Sequence, residues 1–231
     1  MRRFVMVRHG QSEFNATNRF TGWVDSPLTA LGEDEARRAG TLMKTAGLRF
    51  DRIYTSVLTR CTESARIIRD ALEQQELPII VSWRLNERHY GALQGLDKAE
   101  ATQRFGEPQV ALWRRSYDVQ PPASNAADRD VQEDPRYADL SPVDFPLTES
   151  LADTVQRVVP YWTNEIAPAV QSGLSVLIVA HGNSIRALIK YLDHLSDAAI
   201  VDVNIPTGIP QVFELTDDMR PLRHYYLNDS Q

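Results

Sequence analysis

Two short apolar runs in this chain lead into the same kind of polar motif. The run over 4–7 is followed by Arg8 and His9, and the run over 176–180 is followed by His181, with a glycine next after each histidine. Continuous apolar runs of this length are typical of strands buried on both faces of a sheet. Because ligands of open α/β sheets bind at the carboxyl ends of the strands, we expect the two histidines to share one site.

The rest of the pattern alternates strands with helices. Helices are predicted from a cap at Thr29 to a stop at Gly47, and then over 57–71, 151–170 and 184–192. Further strands are predicted at 52–55 and 79–81, and two edge strands at 211–215 and 223–227 around an Asp217-Asp218 turn. This alternation predicts a three-layer α/β/α fold with a mainly parallel central sheet, to which the chain's end adds antiparallel edges.

The segment from Gly91 to Pro146 interrupts the alternation. It carries Trp113, Arg114 and Arg115, and then a proline- and aspartate-rich stretch over 121–146. A stretch this long without regular periodicity is usually a lid, a binding loop or disorder. We therefore predict a single domain over 1–231 with an insertion at about 91–150 that covers the active site.

Composition narrows the class of partner. The net charge of −6 over 231 residues argues against general affinity for nucleic acids or membranes, although a basic pocket for a small anion remains compatible with it. No segment approaches the length of a membrane span, and the apolar run before Arg8 is too short for a signal peptide. Cys61 is the only cysteine, which excludes an internal disulfide and favours a reducing cytoplasm. We expect it to be a semi-buried filler.

The first candidate for chemistry is His9. A histidine that accepts a phosphoryl group needs a neutral ring whose second nitrogen is held by a hydrogen bond, with cations and amides around the phosphoryl oxygens. Arg8 and Gly10 supply a neighbouring cation and a close approach of the backbone. Alone, the tripeptide is a weak signal, because most histidines at strand ends are structural.

Arg60 and Glu87 strengthen the hypothesis. Arg60 follows the strand end at 54–56 by four residues, so its planar guanidinium could point back over the sheet and grip phosphate oxygens. Glu87 could exchange a proton with a substrate hydroxyl, or it could form a buried ion pair with one of the arginines. The spacing does not separate these alternatives. His89, nearby, is expected to be structural.

Seven motifs follow one another over nearly the whole chain, at 7–10, 18–23, 54–60, 85–96, 113–115, 180–184 and 204–208. Together they resemble the 2,3-bisphosphoglycerate-dependent phosphoglycerate mutases of the histidine phosphatase superfamily. Arg-His-Gly identifies only the superfamily, whereas the long block over 85–96 and the Trp-Arg-Arg motif are specific to the mutase branch. The resemblance implies the phosphoglycerate mutase-like fold.

The resemblance also implies residue roles. His9 would be the phosphohistidine nucleophile, His181 would stabilise the transferring phosphoryl group, and Glu87 would move the proton on and off the glycerate hydroxyl. The groups that would hold the phosphoryl are Arg8, Asn15, Arg60 and the amides of Gly182 and Asn183. The groups that would bind the substrate carboxylate and the second phosphate are Lys98, Arg114, Arg115, Tyr90, Ser12, Thr21 and Gly22.

The implied activity is that of a cytoplasmic isomerase of glycolysis and gluconeogenesis, which interconverts 3-phosphoglycerate and 2-phosphoglycerate after priming by 2,3-bisphosphoglycerate. No metal is implied, because arginines take the place of the cation and the carboxylate-rich cluster that hard cations require is missing from the sequence. The family forms dimers and tetramers, so we expect a homo-oligomer, with no nucleic-acid or membrane partner.

Two other functions compete. One is a phosphohistidine-dependent phosphomonoesterase of the same superfamily, in which water intercepts the intermediate. Lys98, Arg114 and Arg115 favour the mutase over it, because a mutase must retain a bisphosphorylated intermediate. The other is a catalytically silent binding scaffold that kept the fold. That alternative predicts the loss of at least one of the five residues that would carry the chemistry. All five are present: Arg8, His9, Arg60, Glu87 and His181.

Two departures from the family pattern stand out. Gln11 occupies a position where the family commonly has glutamate, which we expect to alter the electrostatics modestly without changing the reaction. The chain ends at Gln231 without the longer tail of many relatives. Exclusion of water is therefore expected to depend more on the loop over 121–146.

Overall fold

A six-stranded mixed sheet forms the centre of the molecule. The computed structural model describes residues 1–125 and 134–228. The strands are β1 (Arg2–Arg8), β2 (Arg52–Thr55), β3 (Ile79–Val81), β4 (Val176–Ala180), β5 (Gln211–Leu215) and β6 (Pro221–Tyr226). They lie in the order β3-β2-β4-β1-β5-β6, with parallel pairing from β3 to β1 and antiparallel pairing of β5 with both of its neighbours. The mainly parallel sheet is confirmed.

Helices cover the sheet on both faces. The α-helices of the described residues are α1 (Glu13–Ala16), α2 (Ala30–Thr45), α3 (Thr59–Ala71), α4 (Lys98–Phe105), α5 (Glu107–Arg115), α6 (Leu151–Tyr161), α7 (Ala167–Gln171) and α8 (Gly182–Leu192), of which α4 and α5 pack in a separate cluster. One core joins Phe4 and Met6 of β1 to α6 and α8, and a second joins Val5 and Val7 to α2 and α3. Because alternate residues of β1 enter opposite cores, the three-layer α/β/α class is confirmed.

Several helix boundaries differ from the prediction. Thr29 caps α2 as expected, with its hydroxyl accepting from the Gly32 amide. The helix predicted over 151–170 is instead α6 and α7, separated by a π-helical turn over Trp162–Ile166. Pro160 and Pro168 flank that turn, and neither can donate the backbone hydrogen bond that a continuous helix requires.

The prediction of two edge strands was wrong for β5. This strand lies between β1 and β6, and all five of its residues are buried. Its polar side chains find partners on β6: Glu214 pairs with Arg223 (Oε2 to Nε, 2.6 Å), and Gln211 Nε2 lies 2.9 Å from His224 Nδ1. Polar residues paired in this way can be buried, although in the sequence they resemble the polar positions of an exposed edge strand.

The prediction of an irregular segment over 91–146 was also wrong in part, because α4 and α5 lie within it. Asp97 caps α4, and Gly106, with φ of +84°, allows the sharp turn into α5. Each helix is short and buries few residues, mainly Ala101 in the first and Val110 with Trp113 in the second, so the periodicity was too weak to find. The stretch at 126–133 of the predicted loop lies outside the described residues. The share of the chain that forms the active-site cover therefore stays a prediction.

Two further expectations concern solvent and membrane. Cys61 is fully buried, not semi-buried as expected, and burial raises the pKa of its thiol to about 12. Over residues 1–125 and 134–228, none of the helices is long and apolar enough to cross a membrane.

Candidate active site

The end of β1 presents His9 in a fixed orientation. Its amide donates to the carbonyl oxygen of Ala180 on β4 (3.0 Å), and its ring Nδ1 lies 2.6 Å from the carbonyl oxygen of Gly10. Since a carbonyl only accepts, Nδ1 carries the proton and Nε2 keeps the lone pair. Burial, with the charges of Arg60 and Arg8, holds the pKa of His9 well below its ordinary value. The ring is therefore neutral and nucleophilic at Nε2.

Gly10 is required at this strand end by packing. A Cβ atom on Gly10 would lie 2.0 Å from the carbonyl oxygen of Gly32 in α2. The strand end and the first turn of α2 therefore approach as closely as backbone allows. Glu35, one turn further along α2, accepts the Gln11 amide (2.7 Å) and the Thr207 hydroxyl (2.9 Å), so α2 holds the His9 loop from behind.

The end of β4 brings His181 against His9. The ring centroids are 4.9 Å apart at an interplanar angle of 65°. Ser56 Oγ lies 2.8 Å and Cys61 Sγ 3.3 Å from Nε2 of His181. Burial, followed by the charge of Arg60, lowers the pKa of His181 well below its ordinary value. Both rings are thus kept neutral, as the expectation of two imidazoles in one site requires.

Arg60, in the first turn of α3, is buried beside both rings. Its Nη1 donates to the carbonyl oxygen of Val24 (2.9 Å) and its Nη2 to that of Gly22 (2.8 Å). Burial lowers the pKa of the guanidinium. Arg60 therefore fixes the 22–24 loop as well as placing a positive charge at the histidines.

The segment from His9 to Val24 is held by hydrogen bonds and close packing. Ser12 and Asn15 form a reciprocal cap of α1, with Ser12 Oγ accepting the Asn15 amide (3.3 Å) and Asn15 Oδ1 accepting the Ser12 amide (3.2 Å). Gly22 adopts φ of +58°, and a Cβ there would lie 2.0 Å from Gln94 Oε1. Thr21 is buried next to it.

Glu87 lies on the loop after β3 and reaches the start of α8. Its Oε1 accepts the amide of Arg88 (2.7 Å) and the amide of Asn183 (3.2 Å). Within the described parts of the chain it forms no ion pair with an arginine, so the alternative of a buried Glu-Arg pair is not what the structure has. The carboxylate is instead aimed into a cavity at the sheet's carboxyl end.

This cavity has a volume of about 240 Å³, and we name it the cationic cavity. Besides Glu87 and Tyr90, it is lined by the first residues of α8, Gly182 and Asn183, and by five cationic side chains: Arg8, Lys98, Arg114, Arg115 and Arg186. Burial and the nearby charge of Arg114 lower the pKa of Lys98. Burial, with Arg88 nearby, lowers the pKa of Arg186 to about 10. Cations crowded in this way favour an anionic occupant.

Unpartnered donors point to the same conclusion. Among the described residues that line this cavity, Nε of Arg8 and Nε of Arg186 are buried without a hydrogen-bond partner. Buried donors are rarely left unpaired in native proteins. The amide of Gly182 belongs to the first turn of α8, whose dipole also favours negative charge, whereas the amide of Asn183 already donates to Glu87. The arrangement suits an acceptor-rich group such as phosphate or carboxylate.

The predicted residues thus divide into two groups. His9, His181, Arg8, Arg60, Glu87, Gly182 and Asn183 meet at the carboxyl ends of β1, β2 and β4, and Lys98, Arg114, Arg115 and Tyr90 line the cavity. Ser12, Asn15, Thr21 and Gly22 lie in the segment between β1 and α2, and they are not among the residues that line the cationic cavity. His89 is structural as expected, with its amide bonded to Glu149 and its ring packed near Trp23.

The sequence interpretation missed Arg186 and Ser56. Arg186 is buried, lines the cavity and donates from Nη1 to Asn183 Oδ1 (2.9 Å). It lies three residues after Asn183 in α8, so helical spacing from the His-Gly-Asn motif would have placed it on the same side. Ser56 belongs to the motif over 54–60, but the sequence gave no sign that its hydroxyl contacts His181.

Two neutral, buried histidines, a buried arginine and a carboxylate at the carboxyl end of a parallel sheet define a site for phosphoryl transfer. Comparison with known families agrees with this class. A family model described as the histidine phosphatase superfamily (branch 1) matches residues 4–228, and the chain belongs to that superfamily.

Several solved structures of similar fold are phosphatases or hydrolases by name. The mycobacterial glucosyl-3-phosphoglycerate phosphatase in complex with VO3 is 25% identical, with 98% of this chain and 97% of that chain covered and a TM-score of 0.73. The structure of mycobacterial hydrolase 1 is also 25% identical, with 100% of this chain and 99% of that chain covered and a TM-score of 0.75. A putative alpha-ribazole-5'-P phosphatase from Escherichia coli, 21% identical over 99% and 96%, supports the fold alone with a TM-score of 0.71.

Proposed function

We propose that the protein is a phosphoglycerate mutase that interconverts 3-phosphoglycerate and 2-phosphoglycerate through a phosphohistidine at His9, primed by 2,3-bisphosphoglycerate. The observation that carries the proposal is the cationic cavity, with five cationic side chains beside Glu87. A bisphosphorylated intermediate carries two phosphates and a carboxylate, and must be held while it turns. That requires cations beyond those that one phosphate needs.

The positions of the side chains support the following proposed reaction. Phosphorylated His9 gives its phosphoryl group to the free hydroxyl of 3-phosphoglycerate, and the hydroxyl proton passes to Glu87. The resulting 2,3-bisphosphoglycerate turns in the cavity. Nε2 of His9 then attacks the other phosphorus, and Glu87 returns the proton to the oxygen that is left, which yields 2-phosphoglycerate. Arg8 and Arg60 offset the charge of the phosphoryl group in each transfer.

The second candidate is a phosphomonoesterase that uses the same phosphohistidine. It is favoured by the names of the similar structures, among them a phosphatase of a glucosylated 3-phosphoglycerate. In this case water attacks the phosphohistidine, Glu87 takes the water's proton, and inorganic phosphate leaves. The cationic cavity supports the mutase, but the comparisons with known proteins support the phosphomonoesterase better than the mutase.

The remaining expectations belong to the proposal. The primer 2,3-bisphosphoglycerate would be the only cofactor, without a metal ion. We also propose a cytoplasmic homo-oligomer, a dimer or tetramer, whose partners are small phosphoglycerates rather than nucleic acid or membrane. These points are supported by the sequence resemblance.

Turnover of 3-phosphoglycerate, followed by coupling to enolase, tests the proposal. We expect turnover to depend on added 2,3-bisphosphoglycerate and to be unchanged by EDTA. Full activity from rigorously dephosphorylated enzyme without primer, or loss of activity with the chelator, would contradict the mutase mechanism. Phosphate released in the same reaction reports the hydrolase alternative directly.

A further inference from the structure

We propose that Arg157 and Glu149 act as positioning residues that hold Glu87 in place for proton transfer. The inference rests on the proposed function, in which Glu87 exchanges the proton of the substrate hydroxyl. Neither residue touches the cationic cavity. Both act from behind, on the backbone of the loop that carries Glu87.

Arg157, on α6, gathers the carbonyl groups of this loop. Its Nη1 donates to the carbonyl oxygens of Arg84 (2.9 Å) and Asn86 (3.0 Å), and its Nη2 donates to that of Glu87 (2.8 Å). Three carbonyl groups within four residues are thus bonded to one rigid guanidinium. Arginine suits this task because its donors lie in a fixed plane.

Glu149 closes the arrangement from the other side. Its Oε1 lies 2.6 Å from Nε of Arg157, and its Oε2 accepts from Nη2 of Arg157 (2.8 Å) and from the amide of His89 (2.8 Å). The Arg157 and Glu149 side chains are only 10% and 5% exposed. The pair therefore holds the backbone on both sides of Glu87, from its own carbonyl group to the amide two residues on.

The bonds of Glu87 itself make this placement consequential. Its carboxylate accepts the amide of Arg88, which lies within the held segment, and the amide of Asn183 at the start of α8. Trp23 Nε1 also donates to the Glu87 carbonyl oxygen (2.6 Å). A shift of this loop would move the carboxylate relative to α8, and misplacement of about 1 Å can cost about 100-fold in rate.

Stability alone gives a weaker account of the pair. Buried ion pairs contribute little to folding compared with apolar side chains of the same volume. Here each hydrogen bond of the pair, apart from those between its members, goes to the backbone of 84–89. The observation therefore points to the geometry of Glu87 and not to the core.

The dependence of the transfer rate on the leaving group distinguishes a role in positioning Glu87 from a role in stability alone. Transfer from 2,3-bisphosphoglycerate expels an alkoxide that needs a proton, whereas p-nitrophenyl phosphate expels a stable phenolate that does not. For Glu87→Gln we expect phosphoryl transfer from 2,3-bisphosphoglycerate to His9 to slow by about 100- to 10,000-fold, whereas transfer from p-nitrophenyl phosphate to His9, measured as the single-turnover burst of p-nitrophenolate, should slow far less. For Arg157→Lys and Glu149→Gln we expect the same selectivity at about 10- to 100-fold.

Val158→Ala is the matched control. Val158 is next to Arg157 on α6 and is buried in the core, so its truncation lowers stability without removing a hydrogen bond to the loop. It should change both substrates alike. In a ¹H–¹⁵N spectrum, the Trp23 indole N–H should shift in Arg157→Lys, because its acceptor carbonyl moves, and should stay in place in Val158→Ala.

The outcomes separate failure of the inference from failure of the proposed function. Equal losses on both substrates in Arg157→Lys and Glu149→Gln, with selectivity in Glu87→Gln, would overturn the positioning role alone. Lack of selectivity in Glu87→Gln itself would overturn the proton-transfer role. If the single variants do not fold, the double variant Arg157→Met with Glu149→Leu restores an apolar contact. Selective loss there supports the inference, and wild-type activity on 2,3-bisphosphoglycerate refutes it.

Discussion

The two halves of the site are built in opposite ways. Around His9, His181 and Arg60, which we name the phosphoryl pole, the side chains are buried and held by the backbone or by neighbouring side chains. In the cationic cavity, the charged groups of Lys98, Arg114 and Arg115 line open space, and buried donors of Arg8 and Arg186 lack partners.

This difference separates chemistry from selectivity. The phosphoryl pole is largely held in place before substrate arrives, with only Nδ1 of His181 buried and unpartnered among its ring nitrogens, and its parts suit any phosphohistidine enzyme. The cationic cavity is complete only when an anion fills it. The residues of the phosphoryl pole therefore carry the chemistry that the superfamily shares, whereas the cationic cavity supports the particular substrate that we propose.

The largest effect is expected at the pole. His9→Ala removes the nucleophile, so turnover should fall on the order of 10⁴-fold or more, because groups that act as a unit leave little activity when one is lost. Acid-labile phosphate on the protein after incubation with 2,3-bisphosphoglycerate measures the phosphoenzyme. Its persistence in His9→Ala would place the nucleophile elsewhere and would break the distinction between the two halves.

A smaller and selective effect is expected in the cavity. Arg114→Gln or Arg115→Gln removes a charged hydrogen-bond donor worth about 1.5–3 kcal/mol, which corresponds to a rise in KM for 3-phosphoglycerate of about 10- to 100-fold. Hydrolysis of p-nitrophenyl phosphate should be nearly unchanged. Arg104→Gln, an exposed charge on α4 outside the cavity, is the matched control. Equal losses on both substrates would mean that the cavity does not select the substrate.

The pole also predicts a dependence of stability on pH. Burial, Arg60 and Arg8 lower the pKa of His9 in the folded protein, whereas the unfolded chain takes up a proton near its ordinary pKa of about 6.5. The unfolded state thus binds more protons, and stability falls as pH falls below that value. Between about pH 7.5 and 5.5 His9 should account for about 1.4 kcal/mol of the loss in unfolding free energy.

Denaturant unfolding of His9→Gln at both pH values measures this contribution. The variant should lose less stability on acidification than the wild type. His194→Asn, which replaces a histidine at an exposed position outside the site, serves as the matched control. A wild-type pH dependence in His9→Gln would mean that the ring is not kept neutral in the folded state.

The smallest effect is expected for Gln11→Glu. Gln11 Oε1 accepts the Thr29 hydroxyl (3.0 Å), and a carboxylate can accept the same bond. The added charge is partly solvated, so its contribution should be within about 1 kcal/mol. We expect kcat and KM for 3-phosphoglycerate to change by less than about fivefold. A larger change would extend the substrate-selecting region to this loop.

Much of the fold followed from local patterns. The apolar runs of β1 and β4 identified buried parallel strands, and each ends in a histidine at the shared site. The helices α4 and α5 were missed, because each buries too few residues to mark a face. The position of β5 was also missed, since Glu214 and Nε2 of Gln211 contact partners on β6 that local sequence does not identify.

The site divides in the same way. Residues in short motifs, such as His9 and Glu87, could be found because their neighbours in sequence carry the signal. The contact of Ser56 with His181, and the bonds of Arg157 to the Glu87 loop, join residues far apart in the chain. Such contacts depend on how the helices pack against the sheet, which periodicity alone does not determine.

The most direct test of the central claim is the ratio of isomerisation to hydrolysis, followed by ³¹P NMR with 3-phosphoglycerate and catalytic 2,3-bisphosphoglycerate. If the cationic cavity retains the bisphosphorylated intermediate, many molecules of 2-phosphoglycerate should form for each phosphate released. In Arg114→Gln that ratio should fall toward hydrolysis. Phosphate release that equals or exceeds isomerisation in the wild-type protein would contradict the account and assign the protein to the phosphatases.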